Sequence, residues 1–211
     1  MKKLFSVLTA VFVCAWCVGL GYAQETIVLT NGEWPPYFSE EFKYGGVGSL
    51  VCQEAFALGG VDAQYEYMPW KRGFELARDG QYAGTVGWRK TAEREKDFYF
   101  SDPILIVKSV FFYRKGTLFD WEILDDVGSM SVGATHGYEY IKLMKPVIER
   151  KGGTLEVASS DVANLRKLAI GRIDVFPCSE AVGYYLLKTK LPPGRSAVVT
   201  HHPRPVLAGE L

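Results

Sequence analysis

The sequence predicts an α/β protein built as two lobes. Three observations carry this: short β-branched runs alternate with segments of helical period, Gly and Pro close most of them, and the alternation plays twice around a continuous apolar run, Val107–Tyr113. In the first half, Thr26–Thr30 is a β-branched strand ended by Asn31-Gly32. Val47, Leu50, Val51, Ala55 and Leu58 follow helical spacing up to the stop at Gly59-Gly60. Tyr65 and Tyr67 alternate with Gln64 and Glu66 as in a half-exposed strand. Trp70–Arg78 is then a short helix before Gly80, and Tyr82–Trp88 is expected to be the next strand.

After Arg114-Lys115-Gly116 the rhythm repeats. Ser131–Ala134 is a strand and Gly137–Arg150 a helix that Pro146 should kink or end early. Thr154–Val157 is a strand, and Asp161 is placed to cap the helix carrying Leu165, Leu168 and Ala169. Ile173–Phe176 is a strand, Ala181–Lys188 a helix, Leu191-Pro192-Pro193-Gly194 a turn and Ala197–Thr200 the last strand. Open α/β sheets place ligands beyond their strand carboxyl ends, so the cleft between the lobes is the expected site.

The N-terminus has the form of an export signal. Met1-Lys2-Lys3 is a positive start, Leu4–Leu20 an uncharged apolar run, and Gly21-Tyr22-Ala23 a small-residue exit. The expected organisation is therefore a signal peptide over 1–23, lobe 1 over 24–112, lobe 2 over 113–195 and a returning strand over 196–211, with a periplasmic location. Neither Cys14 nor Cys17 follows the small residue a lipid attachment site requires. Without Lys2 and Lys3 the balance of 24 basic and 24 acidic residues tips to about −2, which gives no basic excess for nucleic acid. Cys52 and Cys178 are expected to be lone thiols. His136, His201 and His202 lack metal-ligand spacing, and the last two suit a solvated strand end. Neither a metal nor a cofactor is implied.

The informative residues follow the first-lobe strands: Glu33-Trp34-Pro35-Pro36-Tyr37, Pro69-Trp70-Lys71-Arg72 and Trp88-Arg89. Three of the four tryptophans beyond the leader stand at these strand ends. Core packing would spread them along element interiors. Indoles beside guanidiniums suit a planar or apolar ligand body with an anionic tip. Gly45-Gly46-Val47-Gly48-Ser49 lacks the spacing of a phosphate loop and is a helix start. No nucleophile elbow or triad pattern occurs, and Glu33 and Glu180 are the two acids that could serve an enzyme in the cleft.

Thr-Asn-Gly-Glu-Trp-Pro-Pro-Tyr (30–37), Thr-Ala-Glu-Arg-Glu-Lys-Asp-Phe-Tyr-Phe-Ser-Asp-Pro (91–103) and Gly-Arg-Ile-Asp-Val-Phe (171–176) resemble family 3 extracellular solute-binding proteins. The resemblance runs from about Glu25 to the end. It implies a two-lobed clamshell of the periplasmic binding protein-like II type, a monomer that captures a small anionic or amino-acid-like solute. Its partner would be the permease of an ABC-type importer or a membrane sensor. It also implies that Arg94 pairs with the ligand carboxylate, that Trp34 covers the ligand, and that the Gly137-Tyr138 loop holds the carboxylate through backbone and hydroxyl groups.

Three departures qualify this. Where relatives carry an acid for the ligand ammonium, this chain has Ser179, with Cys178 before and Glu180 after. Either Glu180 substitutes, or the ligand is not an ordinary α-amino acid. Trp88-Arg89 stands where small hydroxyl residues are common. Relatives also run further, so the return to lobe 1 is expected to be truncated at Gly209-Glu210-Leu211, leaving part of the 47–58 helix without apolar cover. The candidate site is thus Trp34, Tyr37, Trp70, Trp88, Arg89, Arg94, Gly137, Tyr138, Ser179 and Glu180.

Overall fold

The computed structural model describes residues 25–210, so residues 1–24, where a leader is expected over 1–23, and Leu211 lie outside it. In the first lobe β1 (Glu25–Asn31) is central, pairing in parallel with β2 (Val61–Tyr67) and with β3 (Gly84–Thr85). Helices α1 (Val47–Leu58) and α2 (Trp70–Arg78) connect the strands. Parallel neighbours need such crossovers, which is why the periods alternate along the sequence. Only two residues of the expected Tyr82–Trp88 strand make ladder pairs, because Gly87, at φ +75°, turns the chain away before Trp88.

The core of this lobe is small: Leu29, Phe38, Ala63 and Val86 are its buried apolar residues. Helix α1 turns Gly48 and Ser49 inward, while Val47 and Val51 are exposed and Leu58 is 92 % exposed. Polar bonds fasten it instead. The Ser49 hydroxyl accepts from Asn31 Nδ2 at 2.9 Å, and its backbone carbonyl accepts from the Tyr65 hydroxyl at 2.7 Å. The helical spacing of apolar residues thus marks the helix correctly, yet much of that face meets no core in these residues.

The second sheet has the order β6-β5-β7-β4-β8. It comprises β4 (Ile106–Arg114), β5 (Ser131–Thr135), β6 (Thr154–Ala158), β7 (Val175–Ser179) and β8 (Val199–Glu210), with α3 (Tyr140–Lys151), α4 (Asp161–Ala169), α5 (Glu180–Lys190) and the single turn α6 (Pro193–Ser196) between them. Strand β4, the apolar run of the sequence, lies between β7 and β8 and is antiparallel to both. Phe111 and Phe112 point to opposite faces, each 0 % exposed, which is why the run does not alternate.

Four boundaries differ from the sequence reading. Helix α3 starts at Tyr140 and continues through Pro146 to Gly152 at φ +78°. Pro146 and Lys142, whose carbonyl it leaves unbonded, are both on the exposed side, where water can replace the bond. Ser160, not Asp161, caps α4, its Oγ accepting from the Ala163 N–H at 3.3 Å. Strand β7 begins two residues late, because Ile173 is buried before the ladder starts. Strand β8 runs to Glu210, far beyond Thr200, since β4 offers it a partner along its whole length.

Candidate functional site

The first-lobe loops gather into one aromatic wall. Trp70 meets Phe38 and Trp88 edge-on, with ring centroids 5.8 Å apart in each case, and Phe74 lies 4.8 Å from both Trp88 and Phe98. Trp70 opens α2 and lies against Gly32, where a methyl group would come within 2.5 Å of the indole. The Gly after β1 is therefore what lets the indole lie against the backbone. Trp70 Nε1 donates to the Glu33 carbonyl at 3.2 Å and Trp88 Nε1 to Thr85 Oγ1 at 3.0 Å, fixing both rings.

Arg94 sits on this wall. Its guanidinium is 4.8 Å from the Trp88 ring centroid and 5.9 Å from that of Phe74, and Nη1 donates to the Arg89 carbonyl at 2.7 Å. Burial lowers its pKa, and Glu139 and Glu93 nearby oppose that shift. Glu139 belongs to the second-lobe loop after β5, so a charge from that lobe acts on Arg94. Glu93 Oε2 and Lys142 Nζ bridge the same gap at 3.2 Å. The Arg89 side chain reaches toward Gly209 on β8, where any side chain would collide with it.

Trp34 and Tyr37, ring centroids 5.1 Å apart, reach across to the second-lobe core cluster that contains Cys178 and Val182. Ser179 stands between those two positions, at the end of β7 and the start of α5. It is 4 % exposed and its Oγ has no hydrogen-bond partner, as is also true of Trp34 Nε1. Thus Trp70, Trp88 and Arg94 form one group and Trp34 and Tyr37 another, while the Arg89 side chain turns to β8 and Ser179 is buried at the end of β7.

Glu180 is placed differently. Its carboxylate lies 3.4 Å from Lys108 Nζ and 3.6 Å from His201 Nε2, beside an open pocket of about 280 Å³ lined by Tyr37, Ile106, Lys108, Ala181 and Tyr184. His201 Nδ1 shares a 2.6 Å hydrogen bond with Tyr184, and His202 Nε2 is 3.0 Å from Asp120. The two histidines are therefore engaged on opposite faces of β8 rather than forming a solvated strand end.

The Tyr138 hydroxyl also departs from the expectation. It donates to Asp161 Oδ2 at 3.1 Å, inside the second lobe, while Thr135 Oγ1 donates to Oδ1 at 2.6 Å. Gly137, at φ +85°, makes the turn, and a side chain there would meet nothing within 4 Å. Asp161 was missed as a site-supporting residue because its position before a helix has the pattern of a cap. Only its pairing with a tyrosine from a distant loop shows its role.

Burial raises the Asp161 pKa, and hydrogen bonds from Thr135, Tyr138 and Cys178 offset this in part. The native state then keeps this proton at pH values where the unfolded chain, with its carboxyl near 3.9, has lost it. Stability should fall as pH rises from about 4 through the raised pKa. Asp161→Asn is expected to remove that slope. Urea unfolding at intervals from pH 4 to 7 measures it, and a wild-type–variant difference constant across the range would exclude Asp161 as the cause.

Cys52 and Cys178 are free thiols, and among the described residues no group of three His, Cys, Asp or Glu side chains is placed to hold a metal ion.

Residues 26–169 match the bacterial extracellular solute-binding proteins, family 3. No curated protein gives a match. Solved structures with the same fold include an ancestral arginine-binding protein bound to arginine (20 % identity, TM-score 0.70, covering 88 % of this chain and 81 % of that one). A histidine kinase sensor domain with similarity to periplasmic binding proteins is alike at 20 % identity and TM-score 0.72, with 88 % and 80 % covered. The AvGluR1 ligand-binding domain in complex with glutamate is alike at 18 % identity and TM-score 0.71, with 87 % and 79 % covered. These likenesses establish the two-lobed clamshell, and the family match extends over most of the chain. It belongs to the bacterial extracellular solute-binding proteins, family 3.

Proposed function

We propose that this protein captures a small organic anion in the cleft between its lobes, in the periplasm, and presents it to the permease of an ABC-type importer. One observation carries the reading: Arg94 lies over Trp88, beside the Glu93–Lys142 pair that spans to the second lobe, and among the described residues only one of its donors is bound to a protein acceptor. A ligand carboxylate there would take the free edge of the guanidinium and be closed over by the Gly137-Tyr138 loop. Trp34, Tyr37, Trp70, Trp88 and Arg89 supply walls for its body. The 1–23 leader would export the chain. The histidine kinase sensor domain of the same fold favours a second reading, in which the closed form signals to a membrane kinase.

The protein acts as a binder rather than an enzyme in this reading, because its two nominated acids are occupied. Glu33 Oε1 accepts the Glu40 N–H at 2.7 Å, and Glu180 faces Lys108 and His201. The experiment is a thermal-shift screen of amino acids, small carboxylates and aromatic acids, followed by titration of tryptophan fluorescence with each hit. Trp34→Ala and Trp70→Ala should each weaken the hit by about 1–3 kcal/mol, the usual loss for a stacked aromatic in a buried site. Unchanged affinity in both folded variants would place the ligand elsewhere. Co-purification of the ligand-loaded protein with a permease or with a kinase separates the two readings.

A further inference from the structure

We infer that Trp88 is a positioning residue: it serves ligand affinity by holding the Arg94 guanidinium ready for a carboxylate, more than by lining the cleft. This rests on the proposed role of Arg94 and goes beyond it by naming what fixes that side chain in place.

The indole is itself held firmly. Trp88 Nε1 donates to Thr85 Oγ1 at 3.0 Å, and that hydroxyl donates in turn to the Thr30 carbonyl at 3.3 Å. The ring is thereby fastened to β1, the central strand of the first lobe. Trp70 meets it edge-on with centroids 5.8 Å apart, and Phe74 lies 4.8 Å away at 59°. One hydrogen bond and two rings of α2 leave the indole little freedom to turn.

Arg94 is the part that needs fixing. An arginine side chain has many rotamers, and ordering them at the moment of binding weakens affinity. Here two contacts order it beforehand. Nη1 donates to the Arg89 carbonyl at 2.7 Å, and the guanidinium carbon lies 4.8 Å from the centroid of the Trp88 ring. Phe74 is further away, at 5.9 Å, and a phenyl ring attracts a cation less than an indole does. Glu93, the preceding residue, pairs with Lys142 instead. An acid in the place of Trp88 would also hold the arginine, but it would occupy the donors that a ligand carboxylate needs. An aromatic face attracts the cation and leaves the donors along its edge free. A small hydroxyl residue at position 88 would offer no such face.

Trp88→Leu, Arg94→Ala and the double variant test this by calorimetry. The probes are L-arginine, L-glutamate, glutarate and 3-phenylpropionate, and the one that wild type binds most tightly is followed. Trp88→Leu alone should weaken it about tenfold. In the Arg94→Ala background the same change should cost at most about twofold, because nothing is left to position. A loss of about threefold or more in that background would show Trp88 acting on the ligand independently of Arg94, and overturns the inference. A loss below about threefold from Trp88→Leu alone does the same. Trp88→Phe keeps an aromatic face and should recover most of the affinity; no recovery overturns the role of the ring face. In the ligand-free protein, nitrogen relaxation should show the Arg94 Nε–H ordered on the ps–ns timescale and mobile in Trp88→Leu. Unchanged order in that variant overturns the holding role. If Trp88→Leu does not fold, Thr85→Val serves instead, since it cuts the bond that fixes the indole. It should weaken the probe about threefold while Arg94 is present, and equal losses with and without Arg94 overturn the inference. Arg94→Ala on its own separates the two levels. Affinity within about threefold of wild type there, or binding of none of the four probes, overturns the carboxylate site and this inference with it. A large loss at Arg94 with an additive loss at Trp88 overturns this inference alone.

Discussion

Phe112→Ala is expected to destabilise the protein by about 3–5 kcal/mol, the range for emptying a large aromatic from a packed core. Phe112 is 0 % exposed in the second half of β4. Its ring packs against Gly183 on α5 so closely that a methyl group there would overlap it, and it lies 5.4 Å from Tyr184 and 6.0 Å from His201. Phe111 and the second cluster lie across the sheet and cannot reach the space. A typical domain is stable by about 5–15 kcal/mol, so this single change should remove a large part of the total. Urea unfolding followed by circular dichroism measures it. A loss below about 1 kcal/mol would mean that α5 closes onto the sheet when the ring is gone.

Arg94→Ala carries the largest expected effect on binding, a loss of at least about 2 kcal/mol, or roughly thirtyfold in Kd. The loss combines the charge-assisted pair with the desolvation of a ligand carboxylate left without its partner. Arg94→Lys keeps the charge and loses the planar stack on Trp88 and the fork, so it should recover only part of the affinity. The melting temperature should move little for either variant, since Arg94 has no ion-pair partner among the described residues. Calorimetry with the best hit of the carboxylate screen decides it. Affinity within threefold of wild type in Arg94→Ala would detach the carboxylate from this arginine.

Much of this fold was legible from periodicity alone. Helix α2 and strand β2 fall where the pattern placed them, whereas the run at 107–113, read as the joint between the halves, is an inner strand of the second sheet. What periodicity could not show was pairing. Strand β3 shrinks because Gly87 bends the chain, and β8 extends because β4 happens to lie beside it. Neither fact is local. The site follows the same rule. Tryptophans at strand ends were visible as a cluster, and the structure joins Trp70 to Trp88 and Trp34 to Tyr37. The commitments of Glu180, Tyr138 and His201 depend on side chains brought from other elements, so composition and spacing left them open. Asp161 was visible only as a helix-start residue.

The position of β4 also bears on how the chain behaves while it is being made. Its partners come late: Ser109 pairs with Ser179 and Ile106 with Glu210. The first-lobe ladders close over shorter stretches, as Glu25 pairs with Val61 and Leu29 with Gly84. During synthesis at about 5–20 residues per second, β4 therefore emerges seconds before either neighbour exists. Throughout that interval its two-faced phenylalanine ladder offers unpaired backbone and apolar surface together, the combination that invites aggregation. Were the proposed 1–23 leader to export the chain unfolded, the same delay would be useful, because the sheet cannot lock before its last strand has been made. The strand that makes the second lobe stable when complete is thus also the one that keeps the nascent chain open.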